Sequence, residues 1–321
     1  MTKIVPSKPH LPAERSSVGA YLASIGQGSR RGMLTALKAA LAILTDRETG
    51  DIPDAEVPSW DWHSLGPAEI AAIKSRLAER FSPAYGNKVL AAIKGVLRSS
   101  WRLGLISRDE YARAVDLKPI RGKRLPAGRE LTPGELAALL NTCQADPSPA
   151  GPRDAALFGM GAYAGLRIAE AAGLSVSDYD LEAKSLRIVG KGSKERLVFV
   201  NGGTSDALED WLSLRGAEFG PLFCPVGKGG TIRHSSISTT ALQKVLAKRQ
   251  RQSGVANFTW HDLRRTCIGE DLDAGVDLAT VQAKVGHSDP RTTARYDRRG
   301  ARAQIEAAAK RHMPYSRRAQ E

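Results

Sequence analysis

No stretch of this 321-residue chain stays apolar for the roughly 18–20 residues that a membrane-spanning helix needs. Its start, MTKIVPSKPHLP, lacks the apolar centre of a secretory signal. Both absences exclude a helical membrane protein and point to a cytoplasmic one. Cysteine is scarce too: Cys143, Cys224 and Cys267 cannot all pair and show no C-x-x-C spacing. That argues against a disulfide framework or a zinc site and fits a reducing compartment. His10, His63, His234 and His312 have no metal-ligand spacing and read as surface or packing residues. There is no internal repeat and no low-complexity block. With 42% hydrophobic and 25% charged residues, the chain has enough apolar side chains for a packed core. Its length suits two domains of ordinary size.

The excess is of positive charge. Lys and Arg number 47 against 34 Asp and Glu, a net +13. Residues 1–117 carry +4, 118–130 another +4, 131–290 −1 and 291–321 +6. A generally basic soluble protein would explain the total, but the clustering favours a polyanionic partner, nucleic acid above all.

The segment 118–130, KPIRGKRLPAGRE, holds two prolines, two glycines and five basic residues, with neither helical nor strand period. It reads as an exposed basic linker. Before it, after a tail at 1–15, residues 16–117 form a helical domain. Helices are predicted over 16–26, 29–45, 67–80 and 84–103, around a proline- and acid-rich loop at 50–58. Val18 and Leu22 form a buried side in the first helix; Leu34, Leu37, Leu41 and Leu44 do so in the second. Val89, Leu90, Ile93, Val96, Leu97 and Trp101 make an amphipathic stripe in the last. Lys88, Lys94 and Arg102 fall off that stripe, on a face that is either solvated or turned toward DNA.

Residues 131–300 read differently. Thr132-Pro133-Gly134-Glu135 is a helix start, with an N-cap Thr, Pro at N1 and Glu at N3. Helices follow to about 142, over 152–163, and from Arg167. The period then changes to two β-rich runs, 185–189 and 196–200, flanking a Gly-Lys-Gly hairpin turn. Helices resume at about 204–215, 236–252, 261–274 and 277–285, with a last one at 301–311 inside a basic tail, 301–321. The fold class is mainly α with a small antiparallel β-sheet in the second domain, preceded by an all-α domain.

Five islands could carry chemistry: Gly165-Leu166-Arg167 with Glu170; the hairpin 190–196; His261-Asp262-Leu263-Arg264-Arg265; Gly286-His287; and Tyr296. Singly each has a plain structural explanation, such as a helix cap, a flexible turn, a surface pair or a packed ring. Together, in this order and with Tyr296 nine positions after His287, they resemble the tyrosine recombinases of the phage-integrase family. The resemblance covers roughly 131–300 and, more weakly, the helical N-terminal region.

The resemblance implies a two-domain clamp on double-stranded DNA. It implies a reaction needing neither metal nor ATP nor other cofactor, through a 3′-phosphotyrosine and a Holliday junction. Tyr296 would be the nucleophile, Arg167 and Arg264 would hold the scissile phosphate, and Lys191 would protonate the leaving 5′ oxygen, with Lys194 its rival. His261 and His287 would be base or phosphate donors, and Glu170 would orient the catalytic cations. Arg121, Lys123, Arg124, Lys88 and Lys94 would contact DNA; Arg265 could do so or form a salt bridge. Tyr111, Tyr163 and Tyr179 lack the Gly-His element ahead of them. Asp178 and Asp180 read as turn caps rather than a two-metal nuclease site.

The implied assembly is a homotetramer on two DNA sites in a bacterial cytoplasm, at the nucleoid when bound, with a possible accessory DNA-binding protein. The implied roles are integration or excision of a mobile element, cointegrate resolution, and chromosome or plasmid dimer resolution. The final segment would either dock on a neighbouring protomer or contact DNA. Only about fifteen residues precede the first helix, so a separate arm-binding domain is not expected. A type IB topoisomerase shares this chemistry, and an inert architectural protein could share the fold. The helical domain and small linker favour the recombinase over the first, and the intact residue set over the second.

If Arg121, Lys123 and Arg124 track the DNA backbone, changing all three to Ala weakens specific and random duplexes by similar factors. The slope of log affinity against log salt then flattens by roughly 2–3, at about 0.9 per phosphate contact. An unchanged slope in a salt titration would remove this segment from the interface.

Overall fold

The structure, a computed structural model, describes residues 16–122, 128–190, 194–297 and 300. It divides into two units, 1–126 and 127–321. The described part of the first unit is all helix: α1 (Ser17–Ser24), α2 (Gln27–Thr45), α3 (Glu56–Ser59), α4 (Pro67–Arg80), α5 (Pro83–Arg102) and α6 (Arg108–Val115). Ser82 caps α5 by accepting from the Tyr85 amide at 3.3 Å, with Pro83 in the first turn. The stripe Val89, Leu90, Ile93, Val96 and Leu97 is buried against Leu37 and Leu41 of α2 and Val18 of α1. Leu22, Leu34 and Leu44 sit half-buried at its margin.

Trp101, expected to extend that stripe, does not reach the core. It is 37% exposed and stacks on Tyr111 of α6, ring centroids 5.7 Å apart and planes at 12°. In the same turn Ser99 and Ser100 are the buried residues, so Trp101 lies on the outer side of α5. Periodicity does not predict α6, a polar helix that buries only Ala114. Its start is set by Ser107 and Glu110, each side chain bonded to the other's amide at 3.2 and 2.7 Å.

The second unit contains α7 (Pro133–Gln144), α8 (Ala150–Ala162), α9 (Ile168–Gly173), β1 (Tyr179–Asp180), β2 (Ser185–Val189), β3 (Glu195–Phe199), α10 (Gly203–Arg215), α11 (Thr239–Ser253), α12 (Trp260–Asp273), α13 (Leu278–Val285) and α14 (Pro290–Ala294). The mainly helical class with a small antiparallel sheet is as the sequence implies. The Thr132 cap forms, accepting from the Glu135 amide at 3.2 Å. Helix α8 is the axis, packed by α7, α10 and α12. Leu157, Phe158 and Met160 lie in the core that α8 shares with Trp211, Phe223 and Leu263.

The strands run β1-β2-β3, antiparallel throughout, with Ile188 opposite Arg196 and Leu186 opposite Val198. Leu186, Ile188, Val198 and Val200 face the core, while Val189, Leu197 and Phe199 face outward. Asp178 and Asp180 accept from the amides of Ser175 and Ala183 at 2.9 and 2.8 Å, so both cap turns. In the segment 118–130, the Arg129 amide donates to Asp262 at 3.0 Å and its guanidinium to Glu135 at 2.8 Å. The expected helix at 301–311 lies outside the described residues.

Two buried arginines share one carboxylate inside this unit. Asp154 of α8 accepts from Arg153 (2.6 Å) and from Arg249 of α11 (2.8 Å), and Arg249 also reaches Asp146 at 2.6 Å. Asp154 and Arg249 side chains are each 1% exposed. Breaking a buried pair from one side leaves an uncompensated charge, at a cost of about 3–5 kcal/mol. Asp154→Ala is therefore expected to lower the melting temperature by on the order of 10 °C. Thermal denaturation followed by circular dichroism checks this; a change within about 2 °C would contradict the assignment.

Candidate active site

After α8 the chain must turn sharply to bring Arg167 to the surface. Gly165 makes the turn at φ +66°, and a Cβ there would lie 3.0 Å from Val285 and 3.1 Å from Cys267. Leu166 is wholly buried, and its carbonyl accepts from the Trp260 indole at 2.9 Å. Arg167 emerges as the residue before α9, with its side chain 45% exposed.

Helix α13 ends at Gly286, in the left-handed region at φ +67°. The last carbonyls of a helix have no intrahelical partner and carry partial negative charge. Here three consecutive ones each accept from a different arginine. Arg196 Nε donates to Lys284 O at 2.9 Å, Arg264 Nη2 to Val285 O at 2.6 Å and Arg167 Nη2 to Gly286 O at 3.0 Å. Arg264 also donates to Gly165 O and is 1% exposed. Burial, then the neighbouring Arg167 charge, lowers Arg264 to about 10, which leaves it charged at neutral pH.

Glu170 lies between two of these arginines. Its Oε1 accepts from Arg167 Nη1 at 2.8 Å and from Arg196 Nη1 at 3.1 Å. Its Oε2 accepts from the Arg167 amide at 2.8 Å and from Arg196 Nη2 at 2.9 Å. Burial alone would raise this carboxyl, but the bonds from Arg196 and Arg167 outweigh it and hold it below the ordinary range.

The other members close the ring. His261, in the first turn of α12, sits with Nε2 3.2 Å from Tyr296 Oη. His287 Nδ1 is 2.9 Å from Thr293 Oγ1, and its ring lies nearly parallel to that of Tyr296, centroids 6.3 Å apart. Tyr296 packs on a small separate cluster of Ile268, Leu272, Val281 and Val285. Partial burial and then the charges of Arg265 and Arg264 lower His261. Burial, then Arg264 and Arg167, push His287 down to about 4. Both imidazoles are neutral near pH 7 in the free protein.

Of the residues singled out from sequence, Arg167, Glu170, His261, Arg264, His287 and Tyr296 thus meet in one place. Arg265 joins them from an unexpected side: it is 6% exposed, with Cζ 5.1 Å over the Tyr296 ring. Its guanidinium faces the phenol and Asp262 rather than open solvent, because α12 turns this position inward. Lys88 and Lys94 lie half-buried on α5 of the other unit, the Lys94 ammonium 3.4 Å from Leu117 O. Arg121 is exposed. Lys191, Lys123 and Arg124 lie outside the described residues, while Lys194, the rival of Lys191, is exposed beside the hairpin.

Arg196 ends the hairpin island 190–196, but the motif assigns it no role. Its signal is alternation: Arg196, Val198 and Val200 share the inward face of the strand, where an arginine requires a buried acceptor. The exposed guanidinium of Arg167, backed by the buried charge of Arg264 and set beside neutral imidazoles and a phenol, suits a phosphate ester, with a donor for its oxygens and a nucleophile beside it. Among the described residues, no group of three or more His, Cys, Asp or Glu could hold a metal ion, and no helix is long and apolar enough to cross a membrane.

The phage integrase family profile matches residues 129–302, more than half of the chain. The chain belongs to the phage integrase family. It is a tyrosine recombinase, an enzyme of site-specific DNA breakage and rejoining. It is 31% identical over 216 residues to the tyrosine recombinase XerC of Corynebacterium efficiens, covering 67% of each chain. Its fold is like that of the XerH site-specific recombinase bound to a palindromic difH substrate, at a TM-score of 0.60 and 22% identity, over 85% of this chain and 75% of that one. The Tn1549 transposon integrase in complex with circular intermediate DNA matches at 0.61 and 16% identity, over 90% and 99%.

The imidazole states of this recombinase set a pH dependence. With His287 at about 4 when folded and near 6.5 when unfolded, the unfolded chain binds the extra proton between those values. Stability therefore rises with pH across that window and is lost as pH falls through it. Melting temperatures between pH 6.5 and 4.5 should fall more steeply for the native protein than for His287→Gln. Parallel slopes would show that His287 is not held neutral.

Proposed function

We propose that Tyr296 is the nucleophile with which this recombinase cuts DNA, and that Arg167, Arg264, His261, His287 and Lys191 serve it. The observation that carries this reading is the 3.2 Å approach of Tyr296 Oη to His261 Nε2 beside the arginine-lined end of α13. Tyr296 Oη attacks the scissile phosphorus; a Tyr–O–P bond forms and the bond to the 5′ oxygen breaks. The neutral imidazole of His261 takes the phenolic proton, and Lys191 gives one to the departing 5′ oxygen. Arg167 and Arg264 stabilise the charge that builds on the nonbridging oxygens of the pentavalent state, and His287 donates there as well. Glu170 keeps Arg167 in place. The phosphotyrosine conserves the energy of the broken bond, so a 5′ hydroxyl from another strand can reverse the attack and rejoin DNA without ATP.

The proposed assembly is a homotetramer on two double-stranded sites, exchanging strands through a Holliday junction in the cytoplasm, at the nucleoid when bound, with or without an accessory protein. In it the helical region 16–117 and the segment 118–130 hold the duplex, through Arg121, Lys123, Arg124, Lys88 and Lys94. Sequencing DNA trapped covalently on the enzyme distinguishes dimer resolution from service to a mobile element, since the target sequence differs.

Tyr296→Phe should bind its site with native affinity and form no covalent adduct on a nicked suicide substrate. An adduct formed by that variant would place the nucleophile elsewhere.

A further inference from the structure

We infer that Arg196 is a positioning residue for strand cleavage, acting on the scissile phosphate through Glu170 and Arg167. The inference rests on the reading of Arg167 as a phosphate-holding group. Arg196 occupies a strand position whose neighbours on the same face, Val198 and Val200, are buried apolar residues. Its side chain is 13% exposed. A guanidinium in such a place is costly unless its donors are met, and here each of its three nitrogens has an acceptor. Nε takes Lys284 O at 2.9 Å, and the two terminal nitrogens take the two Glu170 oxygens at 3.1 and 2.9 Å.

Those same two oxygens hold Arg167, one by its guanidinium and one by its amide, each at 2.8 Å. Arg196 therefore fixes the carboxylate that fixes Arg167. It also sets the charge. A lone Glu170–Arg167 pair is electrically neutral, and its arginine has little field left for a substrate. Two guanidiniums sharing one carboxylate carry a net +1, with Arg167 the exposed member. Space for this arrangement depends on Gly286, where a Cβ would lie 2.9 Å from Arg196 Nη1. No role in DNA contact is needed from Arg196 itself.

A strut that merely holds β3 against α13 would make the same contacts, so the test must read charge at the phosphate. Single-turnover cleavage is measured at saturating enzyme on two nicked suicide substrates, one with the natural scissile phosphate and one with an uncharged methylphosphonate there. Arg196→Met should lose about 10–100-fold on the phosphate, with DNA affinity changed less than about threefold. On the methylphosphonate it should come within about threefold of the native enzyme, because the missing charge is no longer needed. Arg196→Lys keeps a charge without the fork and should lie between the two on the phosphate substrate. It also serves as the folded variant should Arg196→Met fail to fold.

Equal loss on both substrates, or native cleavage of the phosphate, would overturn the inference. Arg167→Ala run alongside separates the two levels. Normal phosphate cleavage by that variant would refute the reading of Arg167, whereas a defect relieved on the methylphosphonate, with Arg196→Met unrelieved, refutes only the role of Arg196.

Discussion

Three backbone carbonyls in succession, those of Lys284, Val285 and Gly286, organise the candidate active site. Each holds a guanidinium from a different part of the catalytic unit: Arg196 from β3, Arg264 from α12 and Arg167 from the turn before α9. Three cations brought this close repel one another. The end of a helix offsets that repulsion, since its unpaired carbonyls carry partial negative charge and accept hydrogen bonds that α13 cannot otherwise make. Glu170 adds a formal negative charge bonded to two of the three, Arg167 and Arg196, while Arg264 is met by backbone carbonyls. Three guanidiniums and one carboxylate leave the cluster net positive, the sign that would attract a phosphate.

Burial and the same positive field act together on the histidines. Burial first, and then the neighbouring arginine charges, put both His261 and His287 below an ordinary imidazole. A neutral imidazole can accept a proton from a phenol, which an imidazolium could not. When an anionic phosphodiester enters, it opposes those cations and raises the imidazole affinity for protons. In the proposed reaction, where His261 takes the phenolic proton, substrate arrival would itself make it a stronger base.

Much of this was legible in the sequence, for a physical reason. Long amphipathic helices announce themselves by period, so α2, α4, α5 and α12 were placed closely, as was the β2–β3 hairpin around its glycine-flanked turn. Arg167, Glu170, His261, Arg264, His287 and Tyr296 were found as an ordered set, though no spacing rule shows that they converge. What escaped was either short or dependent on a partner. Helix α6 buries a single alanine, α14 spans five residues and β1 two, so none has enough period to detect. Trp101 has the right spacing for the core, but it stacks on Tyr111 of α6, a partner that only folding supplies. Arg265 could be assigned to DNA or to a salt bridge, whereas its contact with the Tyr296 ring arises only from folding. Arg196 lay inside the hairpin island without a role of its own, because the motif turns on the lysine, although its inward register sets it apart.

The acceptors for the arginine cluster belong to the main chain and not to side chains. Every residue type except proline offers the same N–H and C=O groups, so the identities of Gln282, Ala283 and Lys284 are free, as far as these three bonds are concerned, to drift over generations. Packing still restrains Val281 and Val285, which are fully buried. Gly286 is different. It must reverse the helix in the left-handed region and leave room for the Arg196 guanidinium, so any side chain there fails on two counts at once. For these three bonds the side-chain requirement is thus concentrated at Gly286, while the rest of the helix is held by other ties: packing at Val281 and Val285, the Lys284–Asp271 ion pair and the bond from Gln282 to the His287 carbonyl.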